Sequence, residues 1–221
     1  STTSTAMASS SSADGAGRAG SFGQHHELTP VDRLGVWLSG RRIRRHVPSF
    51  AGKRIADVGC GYEATFARTV LDQVEHAVLL DTALDADLKA HPHAEVVEGP
   101  LPDTLAPVPD GSVDVVLCTS VLEHLWEPQR ALDEMRRVLR PGGVCLLNVP
   151  SWRGKRFLEL SAFRLGLSPA DEMNDHKTYY DPRDLWPMLV KAGFRPPDIK
   201  VHRHKFGLNT FAACRVPGEA R

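Results

Sequence analysis

A chain of 221 residues is long enough to bury one sizeable core and too short for two full domains. Lys plus Arg and Asp plus Glu stand at 27 each, so no global field draws in nucleic acid or a membrane, and an anionic partner has to be met by a local patch. The four cysteines form no C-x-x-C pair, which argues against a disulfide framework or a zinc finger and for a reduced, cytoplasmic setting. No run reaches the roughly 18 apolar residues of a membrane span, and the first residues lack the basic start and apolar stretch of a signal peptide.

Ser1 to about Gly23 is Ser, Thr, Ala and Gly with little to bury, and reads as a disordered tail. A single domain is expected over 24–221. It opens with a helix in which Thr29 caps, Pro30 takes the first helical position, and Leu34, Trp37, Leu38 and Ile43 form the apolar face. From Lys53 to Pro150, "RIADV", "HAVLL", "AEVVE", "VDVVLCT" and "VCLLNVP" read as strands. Thr65 to Gln73, Leu84 to Ala90 and Pro128 to Leu139 read as the helices or helical turns between them, and the Pro141-Gly142-Gly143 turn is expected to end one helix and begin the next strand. Continuous apolar strands alternating with helices predict an α/β fold with a parallel sheet covered on both faces. A lid-like insertion at about 151–178 follows, then a helix "PRDLWPMLVKAGF" and a terminal hairpin around Gly207.

The stretch "RIADVGCGYEATFAR" runs from a strand into glycines at the carboxyl end of that strand, where open parallel sheets bind ligands. Gly59, Gly61 and Ala64 also fit the dinucleotide fingerprint. Asp57, two residues before the first glycine, would lie beside a dinucleotide's pyrophosphate, and like charges repel. A ligand with a cationic amine and no phosphate is instead welcomed there by a charge-assisted hydrogen bond. S-adenosyl-L-methionine is such a molecule, and Asp81, about twenty residues past the glycines, is suited to its ribose hydroxyls.

Taken with "DVGCG", "LLD", "PDGSVDVVLCTSVLEHL" and "EMRRVLRPGGVCLLNVP", the chain resembles class I S-adenosylmethionine-dependent methyltransferases from about Ile55 to Val149. The resemblance implies a Rossmann-like seven-stranded sheet of order 3-2-1-4-5-7-6 with the last strand antiparallel. It also implies that Asp57, Gly59 and Gly61 hold the methionine part and Asp81 the ribose. Pro100 stands where an acid for the adenine amine is often found, which leaves adenine to the backbone near Leu101, to Asp103, or to apolar contact; Thr119 ends the fourth strand at the same crevice. Glu63 replaces a further glycine of the motif.

Methyl transfer to a hydroxyl needs alignment and a base for the departing proton. Histidine suits that task, and His124 in "TSVLEHLWEP" and His176 in "MNDHKTYY" are the candidates. Glu123, His124 and His176 raise a metal reading. It is set aside, because the metal-dependent RNA 2'-O-methyltransferases with a similar Glu-His pair carry a further Glu where Ser120 stands here. His202 and His204 share a strand face and read as exposed.

The acceptor is expected to be a small molecule, a glycan or a lipid-linked compound. Nucleic acid is disfavoured by the charge balance and the lack of a basic appendage. The amphipathic stretch Trp152 to Arg164 admits peripheral membrane contact or simple core packing. A non-catalytic cofactor-binding or scaffold module is the alternative, an RNA 2'-O-methyltransferase a weaker one, and a dehydrogenase comes last.

Overall fold

The structure, a computed structural model, describes residues 21–24, 30–157 and 176–218. The tail up to residue 20, the Thr29 cap and residues 158–175 of the lid-like insertion lie outside the described residues.

Five apolar runs form β1 (Arg54–Val58), β2 (His76–Asp81), β3 (Ala94–Glu98), β4 (Val113–Thr119) and β5 (Leu139–Pro150). They pair in parallel, and a hairpin of β6 (Ile199–His204) and β7 (Asn209–Arg215) completes a seven-stranded sheet. The order is β3-β2-β1-β4-β5-β7-β6, with β7 antiparallel to both β5 and β6. The arrangement expected from the resemblance is the one observed.

Successive residues of each central strand feed opposite cores, as a period of two dictates. Ala56, Val58, Leu80 and Cys118 pack with Leu132 and Met135 of α3 (Pro128–Val138) and with Leu185 and Leu189 of α4 (Pro182–Lys191). Ile55, Leu79 and Leu117 pack on the other side with Phe50, Phe211, Ile43 of α1 (Pro30–His46) and Leu88 of α2 (Ala86–Lys89). All four cysteines carry free thiols.

Of the helix or helical turn expected over Thr65 to Gln73, the turn is what forms, a 3-10 turn at Ala67–Thr69: the chain enters it through Ala64 at φ +43°, and β-branched Thr65, Thr69 and Val70 give α-helix little support. Two expectations need correction. The Pro141-Gly142-Gly143 stretch does not precede the next strand but is an outward bulge within β5, where the register with β4 shifts between Val113 and Val115. The buried face of α1 is built from Ser39, Gly40, Ile43 and the following Val47, whereas Leu34 and Trp37 are more than half exposed. Gly40 explains that rotation: its missing Cβ would stand 3.2 Å from the Phe66 ring, so the small-residue side is the side that can approach the core.

Between β3 and β4 the chain crosses the sheet end in a segment with a 3-10 turn, Asp103–Leu105, and Arg137 of α3 pins it. Its guanidinium donates to the carbonyls of Leu105 at 2.9 Å and Val108 at 2.8 Å, and pairs with Glu134 at 2.6 Å and Asp110 at 2.5 Å. Arg137→Ala orphans both carbonyls, and hydrogen bonds to charged groups contribute about 1.5–3 kcal/mol. Thermal denaturation is expected to fall by several degrees, with Arg137→Lys failing to restore it because an ammonium cannot fork to both carbonyls. An unchanged midpoint would show that the loop is held by other means.

Candidate functional site

After Val58 the chain turns sharply off the sheet end, and the turn has no room for side chains. A Cβ on Gly59 would lie 2.2 Å from a Val121 methyl, and the residue sits at φ +69°. Its N–H donates to the Leu80 carbonyl at 2.7 Å, which ties the end of β1 to the end of β2. Gly61, at φ +78°, donates its N–H to Asp81 Oδ2 at 2.8 Å, while Thr82 donates its N–H and hydroxyl to Oδ1. Phe22 lies over this turn, its carbonyl accepting the Tyr62 N–H at 2.9 Å, so the tail expected through Gly23 gives way to a docked segment one residue or more earlier. Glu63 is on the outside, paired with Arg68.

Asp57 has a different environment from Asp81. It is 4% exposed, and among the described residues no group donates to its carboxyl. Burial, and then the neighbouring charge of Asp81, push its pKa up to about 7. The glycine turn therefore encloses an acid that lacks a cation.

A cleft of about 1610 Å³ opens at this end of the sheet and is lined by the candidate cofactor and catalytic residues Asp57, Gly59, Gly61, Asp81, Leu101, Asp103, Thr119, His124 and His176. Asp103 is engaged by Arg130 at 2.7 Å, at the rim. Leu101 packs partly against the core, beside Pro100.

The far side of the cleft is made by chain segments distant in sequence. Beyond β4 the chain passes Ser120 at φ +58° into a 3-10 turn, Leu122–His124. The Glu123 carbonyl accepts the Lys177 N–H at 2.7 Å, which holds the segment carrying His176 against the one carrying His124. The two imidazole centroids are 4.8 Å apart, and His176 Nδ1 is 3.0 Å from the Tyr179 hydroxyl. Glu123, 1% exposed, joins them, and one ligand atom of each of the three residues lies within 4.8 Å of the others. Such a set of two imidazoles and a carboxylate can handle protons or hold a transition metal.

Lys205, Phe22 and Tyr179 were not among the residues singled out. The signals for Lys205 were faint: a glycine inside α1, Gly35, and a Lys-Phe-Gly turn where hairpins prefer Asn-Gly. Burial lowers the Lys205 ammonium to about 8, with the charge of Glu123 acting against that shift. His202 and His204 are not an exposed face. Both are half-buried against the Phe211 ring under α1, His202 touches Arg42, and burial with the nearby cations takes each down to about 4.

A family of methyltransferase domains matches residues 56–147, the segment that carries the glycine turn, Asp81 and His124. A probable S-adenosylmethionine-dependent methyltransferase of Mycolicibacterium smegmatis is 33% identical over 164 residues, covering 72% of this chain and 58% of the relative. The chain belongs to the class I S-adenosylmethionine-dependent methyltransferases. A ubiquinone biosynthesis O-methyltransferase of Psychrobacter arcticus is 27% identical over 82% of this chain and 77% of its own length. Among solved structures, a methyltransferase from Archaeoglobus fulgidus superposes with a TM-score of 0.59 at 17% identity, over 81% of this chain and 93% of that one. The chain spans 58% of the length of the mycobacterial relatives that it matches.

The residues present fit the cofactor of this methyltransferase family on the structure's own terms. Gly59, without the Cβ that Val121 would exclude, brings the backbone of the turn to the cleft beside Asp57, and the undonated Asp57 carboxyl matches an α-ammonium group. The sign of the pH dependence follows. With its folded pKa raised, Asp57 keeps in the native state a proton that the unfolded chain releases between about pH 4 and 7, so its contribution to stability declines as pH rises through that window. A bound ammonium needs the ionised form, so cofactor affinity should rise as pH passes through about 7. Asp57→Asn is expected to raise the ligand-free melting temperature at pH 8 and to weaken cofactor binding about 10- to 100-fold with a flatter pH profile. Thermal denaturation and calorimetric titration across pH 6 to 8.5 check both halves, and an unaltered profile would remove Asp57 from the ammonium site.

Proposed function

We propose that this methyltransferase moves a methyl group to a hydroxyl of a small-molecule, glycan or lipid-linked acceptor, with His124 and His176 handling the acceptor's proton. The observation that carries this reading is the paired imidazoles, 4.8 Å between centroids, on the wall of the same cleft as Asp57 and the glycine turn. The name of the Psychrobacter relative, an O-methyltransferase, supports a hydroxyl acceptor.

When bound, S-adenosylmethionine supplies an electrophilic methyl carbon on a sulfonium. Asp57 meets the ammonium, the Gly59 and Gly61 turn lets the backbone come close, and Asp81 accepts from the ribose hydroxyls while keeping its bond from the Gly61 N–H. Leu101, Asp103 and Thr119 flank the adenine. As the new oxygen–carbon bond forms, the hydroxyl proton passes to an imidazole nitrogen of His124 or His176. Tyr179, 3.0 Å from His176 Nδ1, orients that ring, and the buried Glu123 carboxylate favours the imidazolium that results. The acid-base chemistry needs no metal ion, so a chelator should leave it intact.

The test is transfer of isotopically labelled methyl from S-adenosylmethionine to a panel of phenols, sugars and lipid-linked saccharides. Asp81→Ala should weaken cofactor binding about tenfold or more, whereas His124→Ala and His176→Ala should leave it within about twofold and lower kcat by about 10²-fold or more. Cofactor binding without any methylated acceptor would favour a non-catalytic binding module. Loss of transfer on chelation, restored by a divalent ion, would recast Glu123, His124 and His176 as a metal centre. Tight binding of RNA at low salt would return the acceptor to nucleic acid.

A further inference from the structure

We propose that the Lys205 ammonium is an anion anchor in the acceptor half of the cleft, so that the acceptor carries a carboxylate or phosphate group in addition to its reacting hydroxyl. This rests on the methyl-transfer reading and narrows its substrate class.

The placement of Lys205 is unusual for a lysine in a hairpin. It begins the turn between β6 and β7, and Lys205, Phe206 and Gly207 lie in succession at φ +48°, +59° and +85°. Glycine and asparagine tolerate that region, while lysine and phenylalanine are strained in it, and such strain persists where surrounding structure over-determines it. Phe206 is 94% exposed, so no packing of its ring accounts for the shape of the turn. What the turn does is carry the Lys205 amine inward, to the cleft wall.

There it meets α1 at a gap. The amine would be 3.5 Å from a Cβ on Gly35, and both residues line the cleft. A glycine within a helix is unfavourable, and at this position even the first carbon of a side chain would already touch the amine. The ammonium makes no hydrogen bond or ion pair with the described residues; Glu123 acts on it only through its field. A cation held half-buried on the cleft wall, with no hydrogen-bond or ion-pair partner among the described residues, suits an anion from outside. Asp57 and Asp81 are given to the ammonium and the ribose of the cofactor, which leaves Lys205 to the acceptor.

Calorimetric titration of the protein saturated with S-adenosylhomocysteine tests this with three probes of matched shape: 4-hydroxybenzoate, 4-hydroxyphenyl phosphate and neutral 4-hydroxybenzamide. The wild-type complex should bind at least one of the two anions tenfold or more tightly than the amide, and which anion leads identifies the group. Lys205→Met should bring that ratio close to one and Lys205→Arg should retain it, both with S-adenosylhomocysteine affinity and melting temperature unchanged. Equal binding of anions and amide by the wild type, failure of all three probes to bind, or an anion preference that survives in Lys205→Met overturns the proposal. Failure of S-adenosylhomocysteine itself to bind would strike the cofactor reading instead, and the anion preference would then be read on the protein alone.

Discussion

Two carboxylates at the ends of adjacent parallel strands set the terms for the rest of the site. Asp57 and Asp81 are both buried, and each would prefer that the other were absent or neutral. The fold settles the conflict unequally. Asp81 receives the Gly61 N–H together with both donors of Thr82, while Asp57 receives none from the described residues and holds its proton to about pH 7. Above that pH the two acids form an unfavourable charge pair, which a cationic ligand would relieve. Parallel topology is what makes the pair unavoidable, since β1 and β2 run side by side and finish together, and the first turn after each lies at the same edge.

From that edge the cleft divides by chemistry. The half near β1, β2 and β3 is built from consecutive chain and is acidic, with backbone exposed by glycine. The half beyond β4 is assembled from pieces far apart in sequence: the Leu122–His124 turn, the residues around His176, the β6–β7 turn and the glycine-bearing face of α1. The backbone bond from Lys177 to Glu123 and the antiparallel insertion of β7 between β5 and β6 bring those pieces together. One half can therefore hold a common ligand while the other varies with little effect on the sheet, the division expected where function is grafted on a shared fold.

This division also decides what could be read from sequence. Strand identity was legible because doubly covered strands such as "VDVVLCT" must be apolar throughout, and the glycines and acids were legible because their spacing is local. Over Thr65 to Gln73 the pattern leaves helix and helical turn open, because core packing by Phe66, Ala67 and Val70 produces an apolar pattern without a full helix to carry it. The face of α1 was misread because size, not hydrophobicity, chose it: Gly40 and Ser39 approach the core and Trp37 stays outside. His202 and His204 follow strand periodicity faithfully, yet their burial depends on α1 lying across the hairpin, a contact between ends of the chain that no local pattern encodes.

Lys205 belongs to the same class of hidden residue, and the reason is physical. A lone lysine in a polar turn carries no periodic signal; its significance comes from a left-handed backbone and a glycine about 170 positions away in sequence. Strain of that kind costs about 1–3 kcal/mol per residue and has to be met by the surrounding packing. Here the packing is tight: β7 is held between two strands, and the Phe211 ring stacks on His46, meets His202 at a tilt and His204 edge-on. A well-held hairpin can keep a charged side chain at a fixed point in the cleft, and fixed charge is what positions a reacting oxygen. Backbone bonds likewise hold the segments that carry the two imidazoles, and in the proposed transfer such fixed placement matters because a methyl displacement rewards alignment more than added affinity.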